Sequence, residues 1–174
     1  MNMHKEFDFV VFGATGFTGK LVVEYLVEKY SESPDISWAI AGRSSDKLES
    51  VAKLKKVPEE VPLIVADSND IESINNLISI TKCVLTTVGP YQLYGNSIIA
   101  ACANSGTDYV DLCGEPGWMH EKINEFNIIA KKSGSRIVFS CGFDSIPFDL
   151  GVLFLQEEVV KRFGKPSNLS LIHI

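Results

Sequence analysis

Gly13, Gly16 and Gly19 stand three residues apart at the end of the apolar run Phe7-Asp8-Phe9-Val10-Val11-Phe12, and a pattern of helical spacing begins on the last of them. Residues of these types in this order can hold a phosphate. Gly13 can turn the chain sharply after a strand, Gly16 lets backbone approach a ligand, and Gly19 lets the following helix pack tightly on the strand. The first N–H groups of that helix have no intrahelical acceptor and lie at the positive end of its dipole, so they suit an anion. Ala14, Thr15, Phe17 and Thr18 complete the loop, and the ligand it predicts is the pyrophosphate of a dinucleotide.

Other chemistries fit less well. A nucleoside-triphosphate loop reading back from Gly19-Lys20 would require glycine where Ala14 stands and Ser or Thr where Leu21 stands. Tyr25 and Lys29 match the Tyr-x-x-x-Lys spacing of a dehydrogenase pair but fall on the first helix, so Tyr25 is read as core and Lys29 as a solvated helix end. Three histidines form no ligand cluster, no metal site is expected, and His120 is read as solvent-facing. Cys83, Cys102, Cys113 and Cys141 contain no Cys-x-x-Cys pair and are read as reduced thiols. Cys113 and Cys141, each ending a strand before a glycine, are assigned to small-residue packing.

The elements that must position the loop alternate. Strands are predicted over 38–42, 63–66, 83–88, 109–112 and 136–139, after the first strand at 7–12. Between them fall a first helix with Phe17, Leu21, Val22, Tyr25 and Leu26 on its apolar face, and a second capped by Asp46 and Glu49. Next come a third starting at Asn69 and Glu72, one around 98–102 closed at Gly106, and one over 118–131. The pattern predicts an α/β fold, a Rossmann-type doubly wound parallel sheet whose ligand edge lies at the carboxyl ends of the strands. That edge collects Gly13 to Gly19, Gly42-Arg43-Ser44, Asp67-Ser68, Gly89-Pro90-Tyr91, Cys113-Gly114-Glu115 and residues 141–145.

Arg43 is the most diagnostic of these. Where the second strand ends, a carboxylate selects the ribose 2′-hydroxyl of NAD, whereas an Arg accommodates the 2′-phosphate of NADP. No acid adjoins Arg43, so NADP(H) is expected over NAD(H), and S-adenosylmethionine is disfavoured. Asp67 belongs either to the adenine edge or to a helix cap. Gly89, Pro90 and Tyr91 are placed for the nicotinamide side. Tyr91 is read as a buried aromatic beneath that loop, with nicotinamide packing or proton donation as the sharper alternatives. Glu115 and Asp144 are general acid or base candidates, with helix capping as the blander account of each.

The chain of 174 residues has the length of one ordinary domain, and 45% hydrophobic content allows a real core. A net charge of −6 without a basic block gives no nucleic-acid footprint. No apolar run approaches the ~18 residues of a membrane span, and no signal-peptide core precedes the first strand, so an intracellular, cytoplasmic location is expected.

The blocks at 10–19 (Val-Val-Phe-Gly-Ala-Thr-Gly-Phe-Thr-Gly), 41–44 (Ala-Gly-Arg-Ser), 88–91 (Val-Gly-Pro-Tyr), 111–115 (Asp-Leu-Cys-Gly-Glu) and 142–151 (Gly-Phe-Asp-Ser-Ile-Pro-Phe-Asp-Leu-Gly) together resemble the saccharopine dehydrogenase-like oxidoreductases. The resemblance implies an NAD(P)-binding domain over 1–165, followed by an α/β substrate or dimerisation domain of which 166–174 would be the truncated start. Leu169, Leu171, Ile172 and Ile174 would open its first strand. It also implies an NADP-dependent hydride transfer involving a small or lipid-like substrate, homo-oligomerisation through the later domain, and association with lipid droplets or membranes. A non-catalytic dinucleotide sensor and an inactive fragment are the alternatives.

Overall fold

The computed structural model describes residues 5–31, 33 and 35–168; the strand expected at Leu169 to Ile174 lies outside the described residues. In chain order the elements are β1 (Phe7–Phe12), α1 (Phe17–Tyr30), β2 (Trp38–Gly42), α2 (Ser45–Lys55), β3 (Leu63–Val65), α3 (Ile71–Ile80), β4 (Thr81–Thr86), α4 (Tyr91–Tyr94), α5 (Asn96–Ser105), β5 (Asp108–Asp111), α6 (Pro116–Ser133), β6 (Ile137–Val138) and α7 (Ile146–Phe163). The six strands form one parallel sheet in the order β3-β2-β1-β4-β5-β6. This is the doubly wound order, and β1 and β4 flank its switch point.

Side-chain alternation divides the core into two layers. Val10 and Phe12 of β1, Ala39 and Ala41 of β2, and Val84 of β4 face α3, α5 and α6, where Ile74, Leu77, Ile98 and Phe126 meet them. Val11 and Ile40 face the other way, onto Val23, Leu26, Leu48 and Val51 of α1 and α2. The register sets Val10 beside both Ala39 and Val84, so the strand that feeds the glycine loop lies inside the sheet, paired on both sides.

Several sequence expectations shift. The inward face of α1 is Gly19, Val23 and Leu26, while Phe17, Leu21 and Tyr25 are 84%, 50% and 55% exposed, so Tyr25 is not a core residue. The reason is local: a Cβ on Gly19 would collide with the Gly13 carbonyl oxygen and lie 2.8 Å from Ala14 Cα. Gly19 is therefore the contact point with β1, and residues four and seven positions later follow it inward. The caps also move. Ser44, not Asp46, caps α2, its Oγ accepting from Lys47 N–H at 3.4 Å, and Asp70, not Asn69, caps α3 by accepting from Glu72 N–H at 3.0 Å. β4 begins and ends two residues before its expected span because Thr81 and Lys82 join the ladder beside Phe7. Cys113 is buried as expected; Cys141 is exposed rather than packed, and its N–H donates to Asp111 O at 2.7 Å.

Candidate functional site

β1 ends on a backbone that only glycine adopts easily: Gly13 has φ +94°, and a Cβ there would lie 2.7 Å from Val88 Cγ2 and 2.8 Å from Thr87 Oγ1. The turn is tied to its neighbours. Gly13 N–H and Ala14 N–H both donate to the Ala41 carbonyl, Gly16 N–H donates to Gly13 O at 3.0 Å, and Thr87 Oγ1 donates to Gly13 O at 3.1 Å. Gly16 is then the N-cap of α1 and carries no side chain to satisfy it. Among the described residues, the N–H groups of Phe17, Thr18 and Gly19 have no acceptor, whereas α2 and α3 are capped by Ser44 and Asp70. An uncapped first turn behind a glycine turn is a cradle for a phosphate.

That cradle opens into a crevice of about 220 Å³ at the carboxyl ends of β1, β2, β3 and β4. Of the residues singled out from the sequence, Gly13, Thr15, Gly16, Arg43, Asp67 and Gly89 line it. Phe12, Gly42, Ala66, Ser68, Thr87, Val88 and Tyr94 complete the wall. Ala14 and Gly19 are buried behind the loop, Phe17 and Thr18 lie on the first turn of α1 outside the crevice wall, and Pro90 and Tyr91 lie past its Gly89 end. Residues 113–115 and 141–145 share the sheet edge but do not reach the crevice.

Arg43 is exposed, and among the described residues its guanidinium has no ion-pair or hydrogen-bond partner. An unpaired planar cation beside an uncapped helix start suits a phosphate monoester. Asp67 is not the cap of α3, which is Asp70. Asp67 lines the crevice, and its Oδ1 accepts from Asn69 N–H at 2.9 Å, shaping the loop before α3.

The residues expected on the nicotinamide side have structural duties. Tyr91 is 5% exposed; its hydroxyl donates to Thr86 O at 3.2 Å and accepts from Leu112 N–H at 3.4 Å, and burial drives its pKa above the usual phenol range. Its ring lies 5.7 Å from that of Trp118, whose Nε1 donates to Asn96 Oδ1 at 2.9 Å. Glu115 caps, but not the helix that follows it. Its two carboxylate oxygens accept from Tyr91 N–H at 2.7 Å and Gln92 N–H at 2.9 Å, fixing the start of α4 across 24 residues of chain. Asp144 is exposed, as is His120.

The sequence reading missed Thr87 and Tyr94. Thr87 looked like strand, yet it lies one residue beyond β4 with its hydroxyl on the glycine turn. Tyr94 sits on the single turn of α4, an element too short to leave a periodic signal; the useful clue was a second tyrosine one turn after Tyr91. The Tyr94 wall is braced by Ser97 Oγ, which donates to Ser68 O at 2.6 Å and ties the start of α5 to the loop after β3.

Among solved structures, the apo saccharopine dehydrogenase (L-Glu forming) of Saccharomyces cerevisiae superposes with a TM-score of 0.70 at 18% identity, covering 91% of this chain and 32% of that one. At the sequence level the chain is 42% identical over 170 residues to a trans-acting enoyl reductase of Mycobacterium leprae, covering 97% of this chain and 40% of the relative. It is also 42% identical over 156 residues to a lipid droplet localized protein of Caenorhabditis elegans, covering 87% of this chain and 36% of the relative. The chain thus spans about two fifths of the length of these curated relatives. The family model described as saccharopine dehydrogenase NADP binding domain matches residues 9–138, which run from β1 through β6 and include every crevice residue. By its fold, its crevice and that match, the chain belongs to the family of saccharopine dehydrogenase NADP-binding domains.

Proposed function

We propose that this chain is the NADP(H)-holding part of an oxidoreductase that passes hydride between the nicotinamide and a small or lipid-like substrate. The observation that carries the reading is the pairing, in one crevice, of the uncapped start of α1 with the unpaired Arg43 guanidinium. Bound NADPH would supply the hydride. The chain's own residues bind and orient. N–H groups of the glycine turn and first turn of α1 meet the pyrophosphate, Arg43 meets the 2′-phosphate, Asp67 and Tyr94 flank the adenosine half, and Gly89 leaves room for backbone approach near the nicotinamide. Pro90 and Tyr91, fixed by Glu115, hold that end of the wall in place.

A lipid-like substrate is favoured by two relatives, one a trans-acting enoyl reductase and one a lipid droplet localized protein. Among the described residues no helix is long and apolar enough to cross a membrane. Residues 1–165 are proposed to form the dinucleotide domain, with 166–174 opening a second one that completes the substrate pocket.

A non-catalytic dinucleotide sensor is the second reading. It draws on the finding that Tyr91 and Glu115, two sequence candidates for proton transfer, are occupied in holding α4. Fluorescence titration tests the main reading. NADPH should bind more tightly than NADH, and Arg43→Ala should weaken NADPH roughly tenfold, about 1.4 kcal/mol, with little change for NADH. Equal affinities for the two cofactors in the unmodified chain would refute the assignment. Binding with no NADPH oxidation by the full-length protein across enoyl and imine substrates would favour the sensor.

A further inference from the structure

Beside the crevice lies a second hollow, about 280 Å³, between α1 and α2. It is lined by Thr15, Lys20, Lys47, Ser50, Val51 and Leu54. Two lysines face this cleft and no carboxylate lines it, although the chain carries an excess of acid and a net charge of −6. Two lysines elsewhere are neutralised by carboxylates: Lys55 pairs with Glu24 at 2.8 Å, and Lys122 lies between Glu121 and Glu125. Among the described residues, the Lys20 and Lys47 ammonium groups have no ion-pair or hydrogen-bond partner. Two unpaired like charges sharing one hollow repel, and an anion placed between them removes that repulsion and gains attraction from both.

The position of the hollow indicates which anion. Thr15 lines both the cleft and the crevice, and it lies against the Cα of Gly42, where a Cβ would be 3.5 Å from Thr15 Cγ2. The two hollows therefore meet where β2 hands over to Arg43. Lys47 stands on the first turn of α2, its N–H donating to Ser44 Oγ, so it follows Arg43 by one helical turn. Lys20 is on the first turns of α1, behind the phosphate cradle.

We infer that Lys20 and Lys47 form, with Arg43, a three-cation subsite for the 2′-phosphate of NADP(H), so that cofactor preference is shared over α1 and α2. The inference rests on the reading of the crevice as an NADP(H) site. In its terms Arg43 supplies the planar fork and the lysines supply point charges at the back of the phosphate.

Titration of the full chain at fixed ionic strength with NADPH, NADH, 2′,5′-ADP and 5′-ADP tests it. Lys20→Ala and Lys47→Ala should each weaken NADPH and 2′,5′-ADP about fivefold while leaving NADH and 5′-ADP within about twofold, and Lys47→Arg should retain binding. Lys47 is exposed and Lys20 half-buried with no partner, so the variants should keep the parent circular dichroism; Lys47→Glu, which reverses the charge, should lose more than Lys47→Ala. If the unmodified chain binds NADPH and NADH equally, the crevice reading fails and takes the lysine assignment with it. If it prefers NADPH and Arg43→Ala abolishes the preference while the lysine variants leave it intact, only the lysine assignment is overturned. Equal weakening of NADPH and NADH by the lysine variants would put the two cations on the pyrophosphate and likewise overturn it.

Discussion

Gly19 shows how one missing methyl group locates a whole helix. Alanine is ordinarily the better helix former by about 1 kcal/mol, so Gly19→Ala would stabilise α1 if propensity alone decided. The clash decides instead. The added Cβ meets the Gly13 carbonyl and Ala14 Cα, both backbone atoms of a turn held by hydrogen bonds to Ala41, so neither can yield cheaply. Overpacking of this kind costs about 1–3 kcal/mol, enough to reverse the sign. Gly19→Ala should therefore lower the urea midpoint and weaken NADPH binding. The same substitution at Gly117, in α6, meets nothing within 4 Å and should raise the midpoint slightly. Matching shifts at the two positions would remove the argument that Gly19 is the contact point. The glycines of the turn were legible in the sequence because their spacing encodes close approaches, Gly16 and Gly19 to backbone and Gly13 to Thr87 and Val88.

At the level of elements, what the sequence hid is contact made across long stretches of chain. The doubly wound parallel sheet followed from alternation and the rules of parallel crossovers, and all six strands occur where the apolar runs lie, within a residue or two. Caps were misplaced by one or two residues because Ser44, Asp46, Asn69 and Asp70 are all competent, and only the hydrogen bond chooses among them. Glu115 marks the boundary of what local pattern can reveal. It follows β5 in the way a cap for α6 would, yet its carboxylate spans to α4, which sequence periodicity cannot show. Glu115→Gln keeps one acceptor and sets a donor amide against the other backbone N–H. That change should cost about 1–2 kcal/mol and loosen α4. Amide exchange gives the direct check: the Tyr91 and Gln92 amides should lose protection while those of Val10 and Val84, in the centre of the sheet, keep theirs. Unchanged exchange at Tyr91 and Gln92 would show that the Ser97–Ser68 brace and the Tyr91 hydroxyl hold α4 without Glu115.

At the scale of the whole molecule, apolar surface is distributed unevenly. One side of β4, β5 and β6 is closed by Val84 and Tyr109 against α5 and α6, whereas on the other side Cys83, Leu85 and Val110 are only half-buried and Val138 is 50% exposed. α7 has no buried residue at all, and Val152, Leu153, Phe154 and Leu155 are 47%, 56%, 66% and 54% exposed. Consecutive helical residues point about 100° apart, so these four put apolar groups on every side of the helix. A helix that is apolar all round is stable in water only when other elements surround it, and contiguous apolar surface of this extent drives association. At micromolar concentration the 174-residue chain should therefore self-associate in a concentration-dependent way. Replacing Phe148, Leu153 and Phe154 together by Ser should reduce that association in sedimentation velocity. The unfolding free energy should change by less than about 0.5 kcal/mol, since no buried contact is lost, and NADPH affinity should not change. A large fall in the midpoint would mean that α7 packs on the sheet in solution, while undiminished association would place the sticky surface on the open face of β4 to β6 instead.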